Sequence, residues 1–176
     1  MLQYEIQPKM GYDQRIGELV CMLEHTRALT LQEGAKLSQA ELDRRVSNGG
    51  NSIGALFTHI AAIETVHQLI SFEGRSFNEE EDSIWGPALE LGTKARQTIK
   101  GKSFDFYRSL FSETREKTLR KLQTKQDEWL YDKRTFPNGT LYNPYYLWFH
   151  VMEDEISHRG QIKMLKRQLG ILDTEA

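Results

Sequence analysis

Residues 143–170 read NPYYLWFHVMEDEISHRGQIKMLKRQLG, and this stretch decides the fold. Asn143 can cap exposed helix-terminal N–H groups with its side-chain oxygen. Pro144 suits the first helical position, and Gly170 suits the residue just past the end. Between these signals, Leu147, Val151, Asp154, His158, Gln161 and Leu165 recur at spacings of three and four, the period of one helical face. A long helix with such a stripe must bury it against other helices. Asp154 and His158 interrupt the stripe together.

Moving outward, the same period appears three more times. Ile16, Leu19, Val20, Leu23 and Arg27 predict a first helix over 12–31, with Cys21 and His25 flanking the stripe. Ile53, Leu56, Phe57, Ile60, Ile63 and Ile70 predict a second, capped by Asn51 or Ser52 and ending near Gly74. Phe106, Leu110, Phe111, Thr114, Leu119 and Leu122 predict a third, from Ser103 as N-cap to about Lys125. Residues 34–50 read as a connection that closes on the turn Asn48-Gly49-Gly50. The run Glu79-Glu80-Glu81-Asp82 reads as solvated surface, Gly86-Pro87 as a turn, and 88–99 as a short helix. Pro137-Asn138-Gly139 is a strong turn signal, and no period-2 run of β-branched residues argues for strands. Four amphipathic helices with connections long enough to cross over predict an all-α four-helix bundle, one domain spanning 1–176.

Composition narrows the function. Hydrophobic residues make up 39% and charged residues 27%, which fits a soluble protein with one core. The net charge of -2 provides no basic field, so neither nucleic acid nor an anionic membrane is an expected partner. The first twenty residues contain no apolar signal core, and no run of about 18 apolar residues marks a membrane span. A single cysteine, Cys21, excludes an intramolecular disulfide framework and is compatible with a reducing cytosol, so a cytoplasmic location is expected.

Chemistry should lie where polar residues occupy core positions. His59 falls within the stripe Leu56, His59, Ile63, Val66 and Ile70. A spacing of four places Asp154 and His158 on one helical face, with β-carbons about 6 Å apart. His150 and His158 are roughly 12 Å apart along the axis and cannot share an ion from one helix. Asp154 and His158 are therefore the natural pair, and a neighbouring helix must supply the third ligand, for which His59 is the internal candidate. Two imidazoles and one carboxylate leave coordination positions open, the pattern of a reactive rather than a closed structural site. Zinc, nickel, manganese or ferrous iron would suit the set. The ion would acidify a bound water or hold a thiol as thiolate. Against this stands a plainer reading. A lone buried histidine is more often a hydrogen-bonded core residue than a ligand, and Asp154 and His158 can satisfy each other. His67 falls at the helix edge or near the bundle end, His25 has no spaced partner, and Cys21 reads as core filler. Tyr145, Tyr146, Trp148 and Phe149 read as helix packing, and an apolar outer face formed by Trp148, Phe149 and Met152 would suit a dimer.

The segment from His150 through Asp154 and His158 to Arg159-Gly160-Gln161-Ile162 resembles the final-helix signature of the DinB-like (DinB/YfiT-like) superfamily, with histidines at four-residue intervals and then Arg-Gly-Gln. The segment Ile53 to Glu64, carrying His59, resembles that family's other marked stretch, and the two occur in the expected order. The resemblance implies an up-up-down-down-type four-helix bundle, often a homodimer, with a divalent metal held by three residues, commonly three histidines. Position by position these are His59, Asp154 and His158, and Asp154 is the departure from the usual histidine. Gly160 would allow close helix packing, and Arg159 would orient an acidic neighbour or form a salt bridge. Some relatives look like transferases that join a low-molecular-weight thiol to an electrophile, and others like metal-dependent hydrolases. The expected function is thus a divalent-metal enzyme, zinc or nickel foremost, acting as a bacillithiol-type thiol S-transferase or a hydrolase on a small molecule. The alternatives are a non-catalytic metal-binding or small-molecule-binding stress-response bundle, or a metal-free interaction protein.

Overall fold

The structure, a computed structural model, describes residues 4–47 and 49–171. Its framework is α1 (Gln14–Gly34), α3 (Ile53–Gln68), α6 (Phe104–Leu122) and α7 (Pro144–Gln168). Shorter helices α2 (Gln39–Asp43), α4 (Glu79–Glu90) and α5 (Thr93–Thr98) sit in the connections. A two-residue antiparallel pair, β1 (Arg134–Thr135) and β2 (Leu141–Tyr142), flanks the Pro137 turn.

The helix ends follow local chemistry. Ser52, Ser103 and Asn143 each accept a backbone N–H at their helix starts, from Ala55, Phe106 and Tyr146. α3 continues through a π-helical turn, Leu69–Glu73, and stops at Gly74, whose φ of 69° is the left-handed conformation glycine adopts without a Cβ penalty. Two connections are more helical than the sequence reading expects. Ser38 with Glu41, and Asn78 with Glu81, form reciprocal capping boxes that start α2 and α4. The acidic run at 79–82 is therefore the first turn of a helix, where negative charge complements the helix dipole. Gly86-Pro87 makes no turn and lies inside α4. Glycine before proline lacks the Cβ that makes the helical conformation unfavourable there. The break comes later, at Leu91 with φ 49°, and divides the expected 88–99 helix in two. Asn48 lies outside the described residues, and the turn beside it is closed by Gly50 N–H donating to the Ser47 carbonyl.

Contacts fix the topology. Arg27 meets Glu155 and Glu33 meets Lys166, so α1 and α7 run parallel. Phe57 meets Phe104, Glu64 meets Arg115 and Gln68 meets Thr118, so α3 and α6 also run parallel. His59 against His158 and His67 against His150 set α3 antiparallel to α7. The bundle is up-down-down-up, not the up-up-down-down type that the resemblance implies. Only the 74–103 connection joins parallel framework helices and must traverse the bundle.

The core has two apolar clusters. One contains Leu42, Ile53, Leu56, Phe57, Ile60, Tyr107, Phe111 and Ile162. The other contains Ile16, Leu19, Val20, Leu23, Leu122, Leu130, Trp148 and Val151. Each framework helix contributes a buried charge to one linked group: Arg27, Glu64, Arg115 and Glu155. Trp148 is wholly buried and takes no part in the expected outer apolar face, whereas Phe149 is exposed and Met152 half-buried. The segment Ile53–Glu73 is long and apolar enough to cross a membrane by composition, with mean hydropathy 1.3, but 67% of that window is buried within the bundle. It is the central core helix, and its Glu64 is ion-paired to two arginines.

Candidate metal centre

α3 and α7 lie antiparallel, and their facing residues include His59 on one and Asp154 with His158 on the other. The spacing of four on α7 turns Asp154 and His158 the same way. His158 Nε2 stands 3.4 Å and His59 Nε2 3.7 Å from Asp154 Oδ1. One ligand atom from each residue lies within 4.8 Å of the others. Donors about 2.1 Å from a tetrahedral ion are spaced about 3.4 Å apart, so the observed separations fit a single small cation.

The imidazoles are held from behind. His59 Nδ1 lies 2.8 Å from the Ala88 carbonyl of α4, an acceptor only, so Nδ1–H donates and Nε2 keeps its lone pair. His158 Nδ1 lies 3.2 Å from Gln161 Oε1 and donates in the same way. Both rings thus present Nε2 to the centre, the arrangement in which metal-binding histidines are oriented by a partner on the other nitrogen. Asp154 Oδ2 is buried with no hydrogen-bond partner, an acceptor left over for an ion or a metal-bound ligand. Burial opposes charge on Asp154, but the imidazoles of His158 and His59 facing its Oδ1 outweigh it and hold the carboxyl well below its usual range. Burial likewise opposes protonation of His158, and the Asp154 carboxylate overrides it, raising the imidazole pKa. The donor set, its spacing and the spare Oδ2 all fit a divalent cation.

The remaining candidates fall elsewhere. His150 is not in the set. Its Nδ1 faces Glu153 Oε2 at 3.3 Å, and its ring stacks on Tyr146. His67 is buried rather than at an edge. It donates from Nδ1 to the Ile63 carbonyl at 2.7 Å and packs against His150, with ring centroids 5.4 Å apart. Burial lowers its pKa. His25 packs edge-on against Tyr4, and Cys21 is a buried free thiol. Arg159 donates to the Thr26 carbonyl at 3.3 Å, not to an acidic neighbour. Gly160 packs against nothing, since a Cβ there would meet no atom within 4 Å, so close helix packing is not its role.

The charged layer behind the centre escaped the sequence reading. Arg27 donates from Nε to Glu155 at 2.8 Å and from Nη2 to Glu64 at 2.8 Å. Arg115 clasps Glu64 through Nε and Nη2 at 2.7 and 3.0 Å, and Thr118 donates to it at 2.6 Å. Burial raises the Glu64 pKa, but the two guanidiniums prevail and bring it down to about 2. The signal was present: Glu64 continues the stripe Ile53, Phe57 and Ile60, and Glu155 continues Trp148 and Val151.

Comparison with known proteins gives a consistent answer. The family model described as "DinB family" matches residues 10–174. A crystal structure of a DinB-like protein from Bacillus cereus ATCC 10987 superposes with TM-score 0.61 at 18% identity, covering 90% of this chain and 95% of that one. The crystal structure of the mycothiol-dependent maleylpyruvate isomerase superposes with TM-score 0.57 at 11% identity, covering 84% of this chain and 60% of that one. At such identities the likeness is one of fold. No curated protein matches the chain in sequence. With a family match running through nearly all of its length, including both helices that carry the candidate ligands, the chain belongs to the DinB family.

Proposed function

We propose that the chain is a divalent-metal-dependent enzyme acting on a small molecule through the centre His59, Asp154 and His158. The observation that carries this reading is the convergence of two pre-oriented Nε2 atoms on a half-buried carboxylate whose second oxygen has no partner. Zinc or nickel suits the two imidazoles, while the carboxylate also admits manganese or iron. A bound ion would lower the pKa of a thiol or water in its open position. Of the two, a low-molecular-weight thiol is the better supported reactant, because a structural neighbour is a mycothiol-dependent isomerase. A thiol S-transferase is therefore the leading reaction and a hydrolase the second.

The roles of the chain's own groups follow from their contacts. Ala88 and Gln161 fix the two ring tautomers, and Asp154 supplies the negative charge that draws in the cation. Metal content of protein purified without a metal-affinity tag tests the centre. Wild type should carry close to one equivalent of a divalent ion, and His158→Ala should lose both the ion and thiol-transfer activity. Turnover that survives complete metal removal would refute the enzymatic reading. An unchanged melting temperature on adding zinc or nickel to metal-free protein would favour a hydrogen-bonded His–Asp pair instead.

A further inference from the structure

Beside the centre, between the start of α3 and the end of α7, runs a groove of about 520 Å³ lined by Asn51, Leu56, Ser157, Gly160, Gln161 and Met164. We propose that it is the subsite for an uncharged, apolar group on the small-molecule substrate of the centre. The proposal rests on the metal-enzyme reading above and adds the chemical class of the substrate.

Four observations carry it. Among the described residues, no charged one lines the groove. Met164 is 59% exposed along it, a large apolar surface that water covers poorly. Gln161 links the groove to the centre, since it lines the groove and is hydrogen-bonded to the His158 ring, and Leu56 precedes His59 by one helical turn. The fourth is Gly160. Glycine inside a helix is destabilising relative to alanine, and nothing near Gly160 requires the absence of a side chain. What a side chain there would occupy is the groove itself. Asn51 Oδ1 is buried without a partner at the far end, so a hydroxyl or amide hydrogen on the apolar group would be accepted there. The volume lies within the range of small-molecule pockets.

Cobalt-loaded protein titrated with straight-chain alkanethiols of two to eight carbons tests the subsite through the sulfur-to-cobalt charge-transfer band. Affinity should rise by up to about fourfold per added methylene, the factor corresponding to about 0.8 kcal/mol per buried CH₂. Gly160→Phe should flatten that dependence while cobalt content stays at the wild-type value. In parallel, 1-hexanol added to metal-free protein should shift the amide resonances of Ser157, Gly160 and Met164 in wild type, and those of Ser157 and Met164 should stay in place in Gly160→Phe. Failure to bind cobalt would refute the metal centre, and the hexanol arm would still read the groove. A chain-length-independent affinity in wild type, or no hexanol shifts, would overturn the subsite. So would conversion of a wild-type dimer to monomer by Gly160→Phe, since a second copy of the chain would then be the occupant.

Discussion

Replacing Arg27 with leucine removes one of two cations from a core layer that also holds two carboxylates. The layer is neutral as built: Arg27 and Arg115 face Glu64 and Glu155, all buried. Glu64 would keep the Arg115 clasp and the Thr118 hydroxyl. Glu155 would lose contacts of 2.8 and 3.1 Å and retain only Arg115 at 3.6 Å. The Phe111 carbonyl would lose the Arg27 donor as well. Stranding one buried charge in this way costs about 3–5 kcal/mol. For a chain of this length each kcal/mol shifts the melting temperature by roughly 2–4 °C, so Arg27→Leu should melt about 6–20 °C lower. Urea unfolding followed by circular dichroism should show a lower midpoint with an unchanged slope, because the same surface is exposed. The double variant Arg27→Leu/Glu155→Leu restores neutrality and should lose clearly less than the sum of the two single losses. A loss below about 1 kcal/mol for Arg27→Leu, or strict additivity in the double variant, would refute the account of the layer.

Three further outcomes follow from the same geometry. Gln161→Leu should weaken metal binding about 10–100-fold by freeing the His158 ring, read by competition with a chromophoric chelator, whereas Gln161→Glu, which still accepts from Nδ1–H, should retain most of the affinity. Metal affinity should rise with pH while His158 is protonated and level off above its raised pKa, since the ion displaces that proton. In metal-free protein the sign is reversed: the raised pKa gives stability that is complete below the ordinary value of 6.5 and is lost as pH rises through the folded value. Chemical denaturation across pH 5–9, with and without zinc, checks both. Gly54→Ala should lower stability by about 1–3 kcal/mol, because its Cβ would collide with the Tyr107 hydroxyl and ring inside the core, and thermal melts would show it.

The parts of this fold that were legible in the sequence are those set by short-range chemistry. Ser52, Ser103, Asn143, Pro144, Gly74 and Gly170 mark helix ends because each satisfies, or no longer obstructs, backbone groups within four residues. The clustering of His59, Asp154 and His158 was legible for a related reason: a spacing of four places Asp154 and His158 on one face, and His59 interrupts the stripe of the helix that meets it. Gly86-Pro87 misled because a turn signal competes with an N-terminal capping box upstream, and Asn78 with Glu81 won. Helix direction was not legible at all, since a stripe of apolar residues looks the same read up or down. The charged layer was missed for a different reason. Glu64 and Glu155 sit on core stripes, but a carboxylate there makes sense only once two guanidiniums from other helices are known to meet it.

That layer bears on function through position. Asp154 and Glu155 are adjacent on α7, so about 100° of helical rotation turns one into the α3–α7 seam and the other into the four-helix layer. A one-turn slip of α7, about 5.4 Å, would carry Asp154 away from His59 and at the same moment pull Glu155 from Arg27. An apolar stripe can re-pack after such a slip; a buried ion pair cannot. The layer therefore penalises the registers in which the metal donors would be apart, and the donors stand within 4.8 Å of one another in a helix pair that side-chain charge has already aligned. The neutral double variant Arg27→Leu/Glu155→Leu separates alignment from stability. With α7 cut from the layer it should fold but bind zinc at least tenfold more weakly than wild type, although none of His59, Asp154 and His158 has been touched. Wild-type zinc affinity in that variant would show that the register does not depend on the Arg27–Glu155 pair, leaving those two charges no part in building the site.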